Sequence, residues 1–261
     1  MKRVIAAVVV LLGALGGVWL VRRYRSTIEV SPYDLQVRTV EDNAAEGVRI
    51  GAKPVQIGTL RALMRAPANG ATSWLIYWGG NTSTYFKESV DTVKLLELPA
   101  EIGVLVVAPP GYDGSEGHPS PENVPQTARE ARDWLIREQH ATKIVTAGFS
   151  LGTLSAIAAA KDGVVLLSAP TLFETGDPGR FIRFREPVQY RPPLEAPKVK
   201  ALVIHGEADD GFPIQMGRDV AAWLGARFVA LPGVGHVDLQ TNRAALQEMR
   251  SFVVDLLGAS H

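Results

Sequence analysis

Residues 143–161, KIVTAGFSLGTLSAIAAAK, decide the fold. They open as a short apolar run, tighten into Gly148-Phe149-Ser150-Leu151-Gly152, and continue through 153–161 as an alanine-rich stretch of helix-forming residues. An apolar run that does not alternate with polar residues suits a parallel strand covered on both faces. Two glycines around a serine, set between such a strand and a helix, predict a turn so sharp that side chains at 148 and 152 would collide with neighbouring backbone. The serine hydroxyl then stands exposed at the start of the helix. The pentapeptide alone is a weak signal, because Gly and Ser are common; the strand before it and the helix after it give it weight.

Working outward, short apolar runs alternate with amphipathic stretches, which is the rhythm of an α/β fold. The strand-like runs are 35–40, 55–64, 74–78, 104–108, 143–147, 164–168, 201–205 and 227–231, so an eight-stranded sheet is expected. From Trp74 onward the runs are solidly apolar, and a mostly parallel sheet flanked by helices follows. The first two are more polar and lie close together, which suits an antiparallel edge hairpin. Val124, Ala128, Ala131 and Leu135 recur at helical spacing and mark one packing face. Leu246, Met249, Phe252, Val253 and Leu256 mark another. The longest irregular segment, 169–200, is rich in Pro and Arg and reads as a lid or rim rather than a large helical cap.

A free serine hydroxyl is a poor nucleophile and needs a base, and the base needs a group to hold it. Downstream, the run ALVIH leads into Gly206-Glu207-Ala208-Asp209-Asp210-Gly211-Phe212-Pro213, a turn that sets carboxylates at the C-terminal end of a parallel strand. Functional groups gather at that end of open α/β sheets. The last strand-like run leads into Pro232-Gly233-Val234-Gly235-His236, a glycine-rich loop presenting one histidine. The other four histidines fit a base less well: His118 and His140 sit in surface-like contexts, His205 ends a strand, and His261 is the last residue. The order along the chain is Ser, acid, His.

GFSLG, HGEADDGFP and GVGH together resemble the α/β-hydrolase superfamily, specifically its esterase, thioesterase and dienelactone-hydrolase-like members, over residues 55–258. The resemblance implies an α/β-hydrolase fold. It also implies a triad of Ser150 as nucleophile, His236 as base and Asp209 as orienting acid, with Asp210 and Glu207 as neighbouring rivals for the acid. An oxyanion hole is implied too, with backbone N–H donors from Leu151 and from the loop Trp78-Gly79-Gly80-Asn81. Family members often carry HG in that loop; here glycine replaces the histidine, leaving Asn81 or Gly80 as donor, with Asn81 favoured. Pro109 to Gly117, PPGYDGSEG, resembles a family loop that lines the floor of the site. Its Asp113 and Ser115 are candidate reactive groups, but Ser115 lacks the strand-turn-helix context.

The implied reaction is acyl transfer to water on a small-molecule or lipid-like ester or thioester. A serine peptidase and a non-catalytic, membrane-tethered binding protein are the alternative readings. The chain has no cysteine, no HExxH and no phosphate-binding glycine motif, so no metal and no cofactor is expected. Its 261 residues, 46% of them hydrophobic, suit one large domain. The charges balance at 27 basic and 27 acidic, yet five basic residues precede residue 27 and no acidic one does. The remainder is mildly acidic and offers no footprint for nucleic acid. Within 1–26, the uncharged run 4–21 lies between basic flanks. As a helix it is about 27 Å long, close to the hydrocarbon thickness of a bilayer. It reads as an uncleaved membrane anchor in preference to a cleaved signal, with residues 27–261 as the hydrolase domain, slightly favoured on the extracytoplasmic side.

Overall fold

A computed structural model describes residues 28–30, 43–120, 122–170, 182–184 and 196–258. The expected membrane segment 1–26, the expected strand 35–40 and most of the rim segment 169–200 lie outside them. Among the described residues no helix is long and apolar enough to cross a membrane.

The apolar runs become the centre of an eight-stranded sheet. In chain order its strands are β2 (Lys53–Ile57), β3 (Leu60–Arg65), β4 (Ser73–Trp78), β5 (Ile102–Val107), β6 (Lys143–Phe149), β7 (Gly163–Leu167), β9 (Lys200–Gly206) and β10 (Arg227–Leu231). Across the sheet the order is β10-β9-β7-β6-β4-β5-β3-β2. All neighbours are parallel except β3, which runs antiparallel to both β2 and β5. The expected run 55–64 is therefore not one strand but two. Gly58, at φ 57°, turns the chain between them, so the edge hairpin lies inside that run. A separate two-stranded parallel pair joins β1 (Ile28–Val30) to β8 (Ile182–Phe184).

Side chains alternate across each strand, and both faces are buried. Trp74, Ile76 and Trp78 of β4 face one way, onto α2 (Asn123–Glu138), α3 (Gly152–Ala158) and α4 (Ile214–Leu224). The stripe Val124, Ala128, Ala131 and Leu135 is buried there, as its spacing predicts. Leu75 and Tyr77 face the other way, onto α1 (Tyr85–Leu95) and α5 (Arg243–Leu257). On α5, Leu246, Met249 and Val253 are buried while Phe252 and Leu256 are partly so. The five neighbouring strands β10, β9, β7, β6 and β4 are parallel, so their C-terminal ends share one edge of the sheet. The residues that follow each of them build the candidate site.

Candidate active site

Ser150 follows β6 directly and adopts φ 52°, a left-handed conformation that non-glycine residues rarely take. Its N–H donates to the Leu167 carbonyl at 2.9 Å, which ties the turn to β7. A Cβ on Gly148 would come within 2.3 Å of the Gly152 carbonyl oxygen, and one on Gly152 within 2.3 Å of the Gly79 oxygen. Both flanking glycines are thus required by space. The Ser150 carbonyl accepts from Thr153 Oγ1 at 2.5 Å and Thr153 N at 3.1 Å, fastening the turn to the first turn of α3.

The loop after β10 brings His236 Nε2 to 3.2 Å from Ser150 Oγ. Its Nδ1 lies 3.0 Å from each carboxylate oxygen of Asp209, which stands in the loop after β9. A proton on Nδ1, shared with that carboxylate, leaves Nε2 free to accept from the serine hydroxyl. The imidazole is packed between Phe149 and Phe212, with each ring centroid 5.0 Å away. Gly211 makes room for it, since a Cβ there would sit 2.9 Å from Nδ1. Of the three carboxylates in this turn, only Asp209 faces the histidine; Glu207 and Asp210 are exposed.

The Asp209 carboxylate is buried at 0% side-chain exposure, and its oxygens are held separately. Oδ1 accepts from the N–H groups of Gly211 (2.9 Å) and Phe212 (2.7 Å). Oδ2 accepts from Ser168 Oγ at 2.5 Å. Burial pushes this carboxyl upward, but hydrogen bonds from His236, Ser168 and the Phe212 amide outweigh it and hold Asp209 below the ordinary carboxylate range. Behind it His205 is fully buried, with Nε2 3.0 Å from the Phe212 carbonyl and 3.4 Å from Asp209 Oδ2. Burial lowers the pKa of His205, favouring a neutral ring that donates from Nε2.

Sequence reasoning ended a strand at Ser168 and gave the residue no task. The signal was slight: a small polar side chain at the C-terminal end of the strand beside the nucleophile's own.

The loop after β4 crosses the serine turn. The Gly79 N–H donates to Tyr85 Oη at 2.8 Å, and Tyr85 Oη donates to the Val107 carbonyl at 2.9 Å. The Gly79 N–H is therefore engaged, and Gly80 and Asn81 follow it in the loop. Gly80 packs against Phe149 and Ser150, where a Cβ would come 2.8 Å from the Phe149 ring and 3.4 Å from Ser150 Cβ. Asn81 is pinned by its side chain, whose Oδ1 accepts from Tyr112 Oη at 2.8 Å. In the PPGYDGSEG loop, Asp113 Oδ2 accepts from the Phe86 N–H at 2.6 Å in the first turn of α1. Ser115 Oγ donates to the Ala108 carbonyl at 2.7 Å and accepts from the Arg61 N–H at 2.8 Å. Both are occupied in bracing the loop. Among the described residues no group of three or more His, Asp or Glu is placed to hold a metal ion.

No family model matches the chain. Over 171 residues it is 30% identical to an uncharacterized protein of Mycobacterium tuberculosis, in strain CDC 1551 / Oshkosh and again in strain H37Rv. The match takes in 59% of this chain and spans 60% of the length of those curated relatives. Among solved structures, TT1662 from Thermus thermophilus superposes at TM-score 0.62 with 19% identity, covering 80% of this chain and 98% of that one. The apo form of Thermogutta terrifontis esterase 2 gives 0.59 at 17% identity, covering 80% and 94%. XC6422 from Xanthomonas campestris, described as an α/β serine hydrolase without lid, gives 0.55 at 17% identity, covering 81% and 96%. Together with the strand order and the helices on both faces, these likenesses show that the chain has the α/β-hydrolase fold.

Proposed function

We propose that the protein is a serine hydrolase that cleaves a carboxylic ester or thioester of a small or lipid-like acyl compound through an acyl-serine intermediate. The observation that carries this reading is the unbroken chain Ser150 Oγ, His236 Nε2, His236 Nδ1, Asp209 carboxylate, at 3.2 and 3.0 Å, on a serine held at positive φ. In the proposed reaction His236 takes the Ser150 proton as the hydroxyl oxygen attacks the acyl carbonyl. The proton is then passed to the leaving alcohol or thiol. Water repeats the sequence on the acyl-enzyme with the roles reversed. Asp209 keeps its charge throughout and steadies the imidazolium. The developing oxyanion is received by the N–H groups of Leu151 and Asn81, with Gly80 as the alternative to Asn81; each such donor is worth on the order of 3 kcal/mol in the transition state.

The test is turnover of p-nitrophenyl esters of increasing acyl length against peptide p-nitroanilides. Ester cleavage that disappears in Ser150→Ala supports the reading. Cleavage of the anilides alone would replace it with a peptidase, and inertness to both would favour a binding protein.

We further propose that residues 1–26 tether this domain to a membrane, a reading that rests on the uncharged run 4–21; basic residues flank that run on both sides, so the extracytoplasmic placement is the part the protease experiment decides. Full-length protein should stay with membranes through alkaline carbonate and be digested by protease added outside intact spheroplasts. Release by carbonate would overturn the tether, and protection from protease the orientation.

A further inference from the structure

We infer that Ser168 is a fourth member of the site, a positioning residue that locks the Asp209 carboxylate and the His236 ring in register. The inference rests on the proposed triad. Ser168 is the first residue past β7 and is fully buried, and its N–H donates to the Ile204 carbonyl of β9 at 2.9 Å. It takes φ 51°, a conformation that glycine, asparagine or aspartate would adopt more readily. A buried serine in that posture needs a compensating role, and its hydroxyl supplies one.

The hydroxyl has one proton, and the 2.5 Å contact gives it to Asp209 Oδ2. Its oxygen also lies 2.9 Å from His236 Nδ1, where it accepts a share of the N–H that the carboxylate receives. Oδ1 has two backbone donors on the other side, so the carboxylate is gripped at both ends and cannot rotate about its own axis. Both oxygens then stand at 3.0 Å from Nδ1. Without Ser168, Oδ2 would keep only the histidines, with His205 Nε2 at 3.4 Å. The carboxylate would lose its closest donor while still buried. The carboxyl would then take up a proton at higher pH, and the imidazole would lose one of the groups that fix its plane.

The experiment compares Ser168→Ala with Ser168→Gly. Glycine suits the positive φ, so Ser168→Gly separates the hydroxyl from the fold. With p-nitrophenyl acetate as probe, Ser168→Gly should still fold and melt cooperatively within a few degrees of the wild type, the easier backbone partly offsetting the donor lost by the buried carboxylate. Its kcat should fall about tenfold with KM within about twofold of wild type. The acid limb of its kcat/KM profile should move up by about one pH unit. Wild-type kcat with an unmoved limb would overturn the inference, as would a loss of kcat with an unmoved limb, which marks a purely structural serine. A Ser150→Ala control that still turns over the ester would instead sink the triad reading on which this one rests.

Discussion

Two buried serines stand side by side at the ends of neighbouring strands, and their differences are more instructive than their likeness. Ser150 is the first residue past β6 and Ser168 the first past β7; their φ angles are 52° and 51°, and each hydroxyl touches a different nitrogen of His236. Ser150 leads into a helix, between glycines whose missing side chains let the loop after β4 and the start of α3 close in. Ser168 leads into Ala169 and Pro170. One hydroxyl faces Nε2, the nitrogen turned away from the carboxylate. The other has already given its proton to a carboxylate. Backbone posture alone therefore does not distinguish the two serines; the nitrogen of the shared histidine that each hydroxyl meets does.

The contrast breaks first at Ser150. Ser150→Ala should lower turnover by on the order of 10⁴ to 10⁶, measured as steady-state ester hydrolysis. Asp209→Asn keeps the shape but upsets the tautomer that separates the two serines, and should lower kcat by about 10⁴. Tyr112→Phe frees the Asn81 side chain while leaving both serines in place, so a fall in kcat of about tenfold or less is expected, with KM little changed. Gly152→Ala should cost about 1–3 kcal/mol in denaturant unfolding, because its Cβ would meet the Gly79 and Trp78 carbonyls.

The smallest effect is on stability against pH. The folded carboxyl of Asp209 has a depressed pKa, so the unfolded chain binds its proton more readily. The stabilisation is complete above the unfolded value, about pH 4, and fades as pH falls through the folded value. Denaturation midpoints between pH 5 and pH 3 should fall less steeply in Asp209→Asn than in the wild type.

Much of this was legible in the sequence, for reasons that can be named. Central strands covered on both faces must be apolar, so β4 to β7, β9 and β10 announced themselves. Ser150, Asp209 and His236 lie in turns whose glycines are demanded by space, and such turns leave a pattern in the chain. The run 55–64 reads as one strand because a two-residue turn needs only Gly58 and Thr59, too little to interrupt a half-polar run. The pairing of Ile28–Val30 with Ile182–Phe184 joins segments far apart in the chain, and three residues carry no periodicity. Asp113 looked reactive, yet its carboxylate serves the first turn of α1; Ser168 looked like a strand end, yet it holds the acid. In both cases the role depends on what another segment brings within 3 Å, which a single segment does not encode.

Of these two serines, the proposed mechanism makes Ser150 the nucleophile and leaves Ser168 unreactive. Treating the protein with a fluorophosphonate probe and locating the adduct by peptide mass spectrometry tests it most directly. A single adduct is expected on the peptide containing Ser150, absent from Ser150→Ala and present, though formed more slowly, in Ser168→Gly. An adduct on Ser168 or Ser115, or labelling that survives in Ser150→Ala, would contradict it.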